Sequence, residues 1–197
     1  MRKFTLDTNC ILAVDEARPQ GAFVLQLAEH HKQGTASVAL VAISASEKQK
    51  PLRSITNFEQ FIDRVSKLCL GHLEIIEPMA YWDVSFWDHG LWSDDSMVAA
   101  ERQIHEILFP NIEFDWKAYC SARGLDVNAR HLDDKWRNAK CDVQAFWSHM
   151  HWQRDVFVTS DKNFRAASKK QKLIALAGGA IETPETAAGL VAQPRDA

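Results

Sequence analysis

Two short apolar segments near opposite ends of the 197-residue chain each stop abruptly at an acid. The first runs Phe4-Thr5-Leu6 into Asp7-Thr8-Asn9. The second runs Asp155-Val156-Phe157-Val158-Thr159 into Ser160-Asp161-Lys162-Asn163-Phe164. Segments this short and apolar suit strands buried on both faces of a parallel sheet. The carboxyl ends of such strands share one edge of the sheet, where ligands bind. Two strands that both end in Asp therefore aim two carboxylates at one place. At about 5 Å, two carboxylates repel by roughly 3 kcal/mol at an effective dielectric near 20. A site that gathers several of them calls for a cation.

The rest of the chain alternates in the same manner. Residues 3–6 read as the first strand and 22–30 as a helix closed near Gly34. Residues 37–43 are an almost unbroken apolar run, fit for a second buried strand, and Ser44-Ala45-Ser46-Glu47 follows its end. Helical spacing links Phe58, Phe61, Ile62, Val65, Leu68 and Cys69, and 73–76 suits a short strand. Ser93-Asp94-Asp95 offers caps for a helix from Met97 to Leu108, ended by Pro110. Asp115 would cap 116–123, with Gly124 as the stop. A helix is expected over 141–152, with Asp142 in its first turn, where negative charge suits the helix dipole. A strand over 156–159, a helix over 164–177 stopped by Gly178-Gly179, and a last strand over 180–182 follow. Thr183 then caps a helix with Pro184 in its first position. This order predicts an α/β fold: a three-layer α/β/α sandwich around a central parallel sheet, Rossmann-like in layout. The expected organisation is a single domain over 1–197 with a helical insertion at about 52–135.

Composition narrows the classes. The length suits one domain, and no apolar run approaches the roughly 18 residues of a membrane span. Met1-Arg2-Lys3 precedes an apolar stretch broken at Asp7, so no signal peptide is expected. Cys10, Cys69, Cys120 and Cys141 form no C-x-x-C pair, which favours reduced, partly buried thiols and a cytoplasmic location. His149 and His151, two apart on a helix, do not face each other, which argues against a zinc site. A net charge of −3 does not advertise a nucleic-acid binder, yet the distribution matters more than the sum. Lys162, Arg165, Lys169, Lys170 and Lys172 form a basic strip with no acid between them. It reads either as a solvated helix face or as a phosphate contact. All seven tryptophans lie between Trp82 and Trp152, densest over 81–92. They would fill the core of an added helical layer, or offer rings to bases or a partner.

The chain resembles the PIN-domain family of nucleases. The resemblance rests on Asp7-Thr8-Asn9, Ser44-Ala45-Ser46-Glu47, Cys141-Asp142, the run from Val156 to Phe164, and Ile181-Glu182-Thr183-Pro184-Glu185. It covers the two ends of the chain and leaves the middle unmatched. It implies an α/β/α sandwich, a magnesium or manganese ion, and single-stranded RNA as substrate. It implies that Asp7, Glu47, Asp142 and Asp161 form an acidic quartet that holds the metal, with Asn9 and Thr159 orienting carboxylates or water. Magnesium takes hard oxygen ligands and keeps several waters, and a bound metal lowers the pKa of water. The implied reaction is endonucleolytic hydrolysis leaving a 5′-phosphate and a 3′-hydroxyl. Lys162, Arg165, Lys169 and Lys170 are the candidate RNA contacts beside it.

Each acid has a plainer reading. Asp7 and Asp161 would cap turns, Asp142 would be an ordinary helix acid with Asp133 and Asp134 as its rivals, and Glu47 would pair with Lys48 or Lys50 at the surface. Small PIN ribonucleases are often toxins, so the expected partners are RNA, an antitoxin protein and a second copy of the chain, with no membrane. Two rival functions remain. A haloacid dehalogenase-type phosphatase also begins with Asp at a strand end, but needs a second Asp where Asn9 stands. A catalytically silent PIN-like scaffold would use the aromatic insertion to hold a partner.

Overall fold

Successive side chains of a strand point to opposite faces, and the five strands here use both. They are β1 (Arg2–Leu6), β2 (Ala36–Val41), β3 (Glu74–Ile76), β4 (Val156–Val158) and β5 (Ala180–Glu182). All are parallel, in the order β3-β2-β1-β4-β5. They belong to a computed structural model that describes residues 1–47 and 57–192. Phe4, Leu6, Val38, Leu40, Val156 and Val158 enter one core, closed by α1 (Thr8–Asp15), α2 (Gly21–Lys32), α3 (Phe58–Lys67) and α9 (Pro184–Val191). Ala39, Val41, Phe157 and Ile181 enter a second core on the other face. That core is closed by α4 (Asp95–Leu108), α5 (Trp116–Arg123), α6 (Asp134–His151) and α8 (Ala167–Ala177). The result is the three-layer α/β/α sandwich with a parallel sheet.

The strand order positions the site. From β1 the chain moves outward through β2 and β3, then returns to lay β4 on the opposite side of β1. The crevice at the carboxyl ends of β1 and β4 is therefore the switch point of the sheet, where ligands of open α/β folds bind. Leu6 pairs with Val158 in register, so Asp7 and Thr159 leave the sheet side by side.

Several expectations are corrected. The helix expected over 141–152 begins earlier, at Asp134. Asp133 caps it, its Oδ1 accepting from Lys135 N at 3.0 Å and Trp136 N at 3.3 Å. Nothing between 134 and 141 interrupts a helix, and Trp136 and Ala139 are buried in its added turns. Asp142 thus lies in mid-helix, beyond the first turn where the dipole would favour it. The helix expected over 164–177 is two, α7 (Lys162–Arg165) and α8, because Ala166 takes an extended backbone (φ −57°, ψ 124°). The short strand expected at 73–76, inside the segment expected as an insertion, forms as β3, an edge strand of the sheet. The first residues of that segment, with Lys48 and Lys50 beside Glu47, lie outside the described residues.

The core-filling reading holds for part of the tryptophans. Trp136 and Trp147 are buried in the second core, whereas Trp82 and Trp92 are exposed. No described helix is long and apolar enough to cross a membrane. Cys10, Cys120 and Cys141 are buried thiols and Cys69 is an exposed one.

Candidate functional site

The acidic edge is built around Asp7. Its backbone N–H donates to Val158 O at 3.0 Å, which extends the β1–β4 ladder by one step. Its side chain caps α1, Oδ1 accepting from Thr8 N at 2.8 Å. Oδ2 accepts from Thr159 Oγ1 at 2.7 Å and from Asn9 Nδ2. Thr159 Oγ1 accepts in turn from Asn9 Nδ2 at 2.9 Å and from Asp161 N at 3.0 Å, and Asn9 Oδ1 accepts from Ser160 N at 2.9 Å. Asp7, Asn9, Thr159 and the Asp161 backbone thus form one hydrogen-bonded knot across the switch point. Asp161 Oδ1 caps α7 by accepting from Asn163 N at 2.7 Å. The capping roles of Asp7 and Asp161 are therefore present, and they hold the carboxylates at the sheet edge.

Glu47 and Asp142 arrive from the flanks. Glu47 follows the 3-10 turn Ala42–Ala45 that ends β2, and Thr8 Oγ1 donates to Ser44 Oγ at 2.9 Å to pin that turn against α1. Asp142 projects from the middle of α6. Of the four acids, Asp7, Glu47 and Asp142 feel the charges of neighbouring acids. The Asp7 carboxyl is pushed up to about 7, first by burial, then by the charges of Glu47 and Asp161, against hydrogen bonds from Thr159 and Thr8 that lower it. Asp142 is raised well above the usual carboxylate range by burial and then by Asp7, Glu47 and Asp161, although part of its side chain still meets solvent. Glu47 is raised by burial and by Asp161. Among the described residues no lysine, arginine or histidine forms an ion pair with any of the four. Asp133 instead serves α6 as its cap and accepts the Tyr119 hydroxyl at 2.8 Å, while Asp134 is exposed.

The donor set suits a hard divalent cation, since all four groups are carboxylates and magnesium prefers oxygen. Three buried polar oxygens without a hydrogen-bond partner lie next to them in the chain. Ser46 Oγ precedes Glu47, Ser160 Oγ precedes Asp161, and Asn138 Oδ1 sits one helical turn before Asp142. As the side chains stand, no three His, Cys, Asp or Glu among the described residues group closely enough to hold a metal ion. The rotamers of Asp7 and Asp161 explain part of this, because the Asp7 oxygens are turned to Thr8 N, Asn9 and Thr159 and Asp161 Oδ1 is turned to Asn163 N.

Beside Asp142 and Asp161 opens a cleft of about 410 Å³. Its far wall is the end of α4 and the segment after it, Leu108 to Ile112; Lys135, Asn163 and Lys169 complete it. Of the expected RNA contacts, only Lys169 lines this cleft. Its Nζ donates to Leu108 O at 2.7 Å and to Asn163 Oδ1. Lys170 pairs with Glu182 at 3.0 Å, and Lys162 and Arg165 are exposed on α7. The strip is thus divided between two helices. Asn138 went unnoticed in the sequence, although its i, i+4 spacing to Asp142 places both on one helix face. Lys135 stands two turns before Asp142 on the same face of α6, whereas Asn111 carries no such local signal, because tertiary packing brings it to the cleft.

No protein-family model matches the chain, and no curated protein matches it.

Proposed function

We propose that this chain is a divalent-metal-dependent nuclease that hydrolyses single-stranded RNA at the switch-point crevice. One observation carries the reading: carboxylates from four separate parts of the chain come to one ligand-binding edge, where Asp7, Glu47 and Asp142 are raised by burial and by neighbouring acid charge, and among the described residues no cationic side chain pairs with any of the four. Structural carboxylates are usually paired or hydrogen-bonded into neutrality, whereas a cation site needs uncompensated charge.

Asp7, Glu47, Asp142 and Asp161 would hold magnesium or manganese, which when bound supplies an acidified water and offsets charge on a phosphate. The protein's own part is to orient. Thr159 and Asn9 fix Asp7, the Thr8–Ser44 contact fixes the turn before Glu47, and α6 presents Asp142 from a buried, rigid helix. No covalent nucleophile is required. A cytoplasmic location, and a toxin role with an antitoxin partner, belong to the same reading.

A second reading has its own support. The inward-turned rotamers, with no three acids converged, suit a silent PIN-like module whose exposed tryptophans hold a partner. End-labelled single-stranded RNA separates the two. The nuclease reading expects cleavage with manganese or magnesium, 5′-phosphate products, and loss of cleavage in chelator and in Asp161→Asn. Absence of metal-dependent cleavage, with a copurifying protein bound, would favour the module.

A further inference from the structure

We propose that the cleft beside Asp142 and Asp161 is a nucleotide subsite, taking the base and phosphate of one nucleotide unit of a single-stranded chain next to the bond offered to the carboxylates. The proposal rests on the nuclease reading for what lies at the acids and adds what lies beside them. Its volume, about 410 Å³, falls among small-ligand clefts, which span about 300–1,000 Å³.

The walls divide by chemistry. Phe109 and Ile112 pack against the second core and remain partly exposed, so they offer a fixed apolar surface to a base. Asn111, between them, is exposed and carries an amide that both donates and accepts, which matches the edge of a base. His105 Nε2 lies 2.7 Å from Ile112 O and Lys169 Nζ bonds Leu108 O, so this wall is braced at both ends.

Two cations line the cleft as well. Lys135 is exposed and forms no ion pair among the described residues, and Lys169 bonds only neutral oxygens. Their charges are not cancelled by a carboxylate partner, unlike that of Lys170. Asp142 and Asp161 line the same cleft, so once a cation offsets those two carboxylates a phosphate is drawn towards Lys135 and Lys169, while the base lies over Phe109 and Ile112. An unstacked, single-stranded unit fits this arrangement, since a base inside a duplex cannot turn its face to the wall.

Adenosine 5′-monophosphate is the probe, titrated into the full chain with magnesium present and followed by calorimetry. Saturable binding is expected. Lys135→Glu should weaken it by about tenfold or more and Asn111→Ala by several-fold. Lys172→Glu, at a residue that lines a separate groove between α4 and α8 and not this cleft, should leave it unchanged. Equal loss in Lys172→Glu, or none in Lys135→Glu, overturns the subsite. Inorganic phosphate binding as tightly as the nucleotide overturns it too, since the base would then contribute nothing. Cleavage of single-stranded RNA is measured in parallel. KM should rise in Lys135→Glu and Asn111→Ala with kcat retained. Cleavage without nucleotide binding refutes the subsite alone. Nucleotide binding that Lys135→Glu abolishes, without any cleavage, upholds the subsite and refutes the nuclease.

Discussion

Thr159, at the end of β4, donates its hydroxyl to Asp7 Oδ2 over 2.7 Å, tying together residues 152 positions apart. The same oxygen accepts from Asp161 N and Asn9 Nδ2. One buried hydroxyl therefore sets the orientation of two carboxylate-bearing chain segments. Thr159→Val keeps the shape and removes all three hydrogen bonds. Loss of a group that orients a metal ligand costs about 10- to 100-fold in affinity or activity, and the stranded donors would lower stability by about 1–3 kcal/mol. Manganese titration of the thermal midpoint, beside cleavage rates, measures both; Thr159→Ser should restore most of the loss. A variant with unchanged metal response would remove Thr159 from the site.

The Asp7 carboxyl, raised from 3.8 to about 7 in the fold, makes a signed forecast. Between those two values the native state holds a proton that the unfolded state has released. Metal-free stability due to Asp7 is therefore full at the acid end of that window and is lost as pH rises through it. Asp7→Asn removes that slope. It should unfold at a higher temperature than wild type above pH 7 without metal, and gain less from added manganese, because ligand stabilisation of the native state follows affinity. Scanning calorimetry at several pH values, with and without manganese, decides. A destabilised Asn variant at every pH would show that capping of α1 outweighs repulsion.

Much of this edge is legible in the residues themselves. β1 and β4 are apolar runs that end at acids, and buried parallel strands look like that whatever surrounds them. Thr183 and Pro184 mark the start of α9 by local chemistry alone, and the Thr183 side chain does cap it. Asp142 is a different lesson. Its neighbourhood to the other acids emerges, yet the local argument for it does not hold, because α6 starts eight residues earlier. Asp133 is a favoured N-cap by its chemistry, yet the polar stretch after it hides that Trp136 is buried in the first turn. The break at Ala166 is invisible for the same reason, since alanine favours helix and only packing of Phe164 on one side and Leu173 on the other turns the chain there. The cleft wall after α4 is turned locally by Ile112 N donating to Phe109 O and by His105 against Ile112 O, but its contact with Lys169 is tertiary and no spacing encodes it.

The two acids of α6 should separate cleanly. Asp142→Asn is expected to abolish the metal-induced rise in thermal midpoint and to cut cleavage severely, with the fold retained. Asp133→Ala removes the cap of α6 and the partner of Tyr119. It should cost about 0.5–2 kcal/mol in stability while leaving the metal response intact. Urea denaturation with and without manganese compares them. A reversed pattern would move the site to the start of the helix.

His149 opposes the acids in its pH dependence. It is buried beneath β1, with Nδ1 3.0 Å from Thr5 Oγ1, and burial, aided by Arg154, lowers its pKa from 6.5 to about 3. Between those values the unfolded state takes up a proton that the native state refuses. The stability it contributes is present above 6.5 and is lost as pH falls towards 3. In metal-free protein this loss runs against the gain from protonating Asp7, so the two must be separated by difference. His149→Gln keeps a polar atom for Thr5 and does not titrate. Its stability relative to wild type should improve steadily as pH falls below 6.5. A constant difference across that range would mean His149 is protonated in the fold.

The seam between α4 and α6 carries a buried ion pair that tests what anchors the helix bearing Asp142. Lys140 Nζ lies 2.9 Å from Glu101 Oε1, and both side chains are almost wholly buried. The ammonium also sits 3.8 Å from the centre of the Phe114 ring, and Gln144 Nε2 donates to the same Glu101 oxygen at 2.9 Å. Burial lowers the Lys140 pKa, and Glu101 pulls it back. Lys140→Met leaves Glu101 with only a neutral donor, and breaking a buried pair from one side costs about 3–5 kcal/mol. Replacing both, as Lys140→Met with Glu101→Leu, removes the stranded charge and should recover most of that loss, since well-packed apolar pairs often match buried ion pairs. Urea denaturation of the two single variants and the double variant closes the cycle. A double variant as unstable as Lys140→Met alone would show that the Gln144 contact to Glu101, together with the aromatic packing around the ammonium, holds the seam rather than the charge pair.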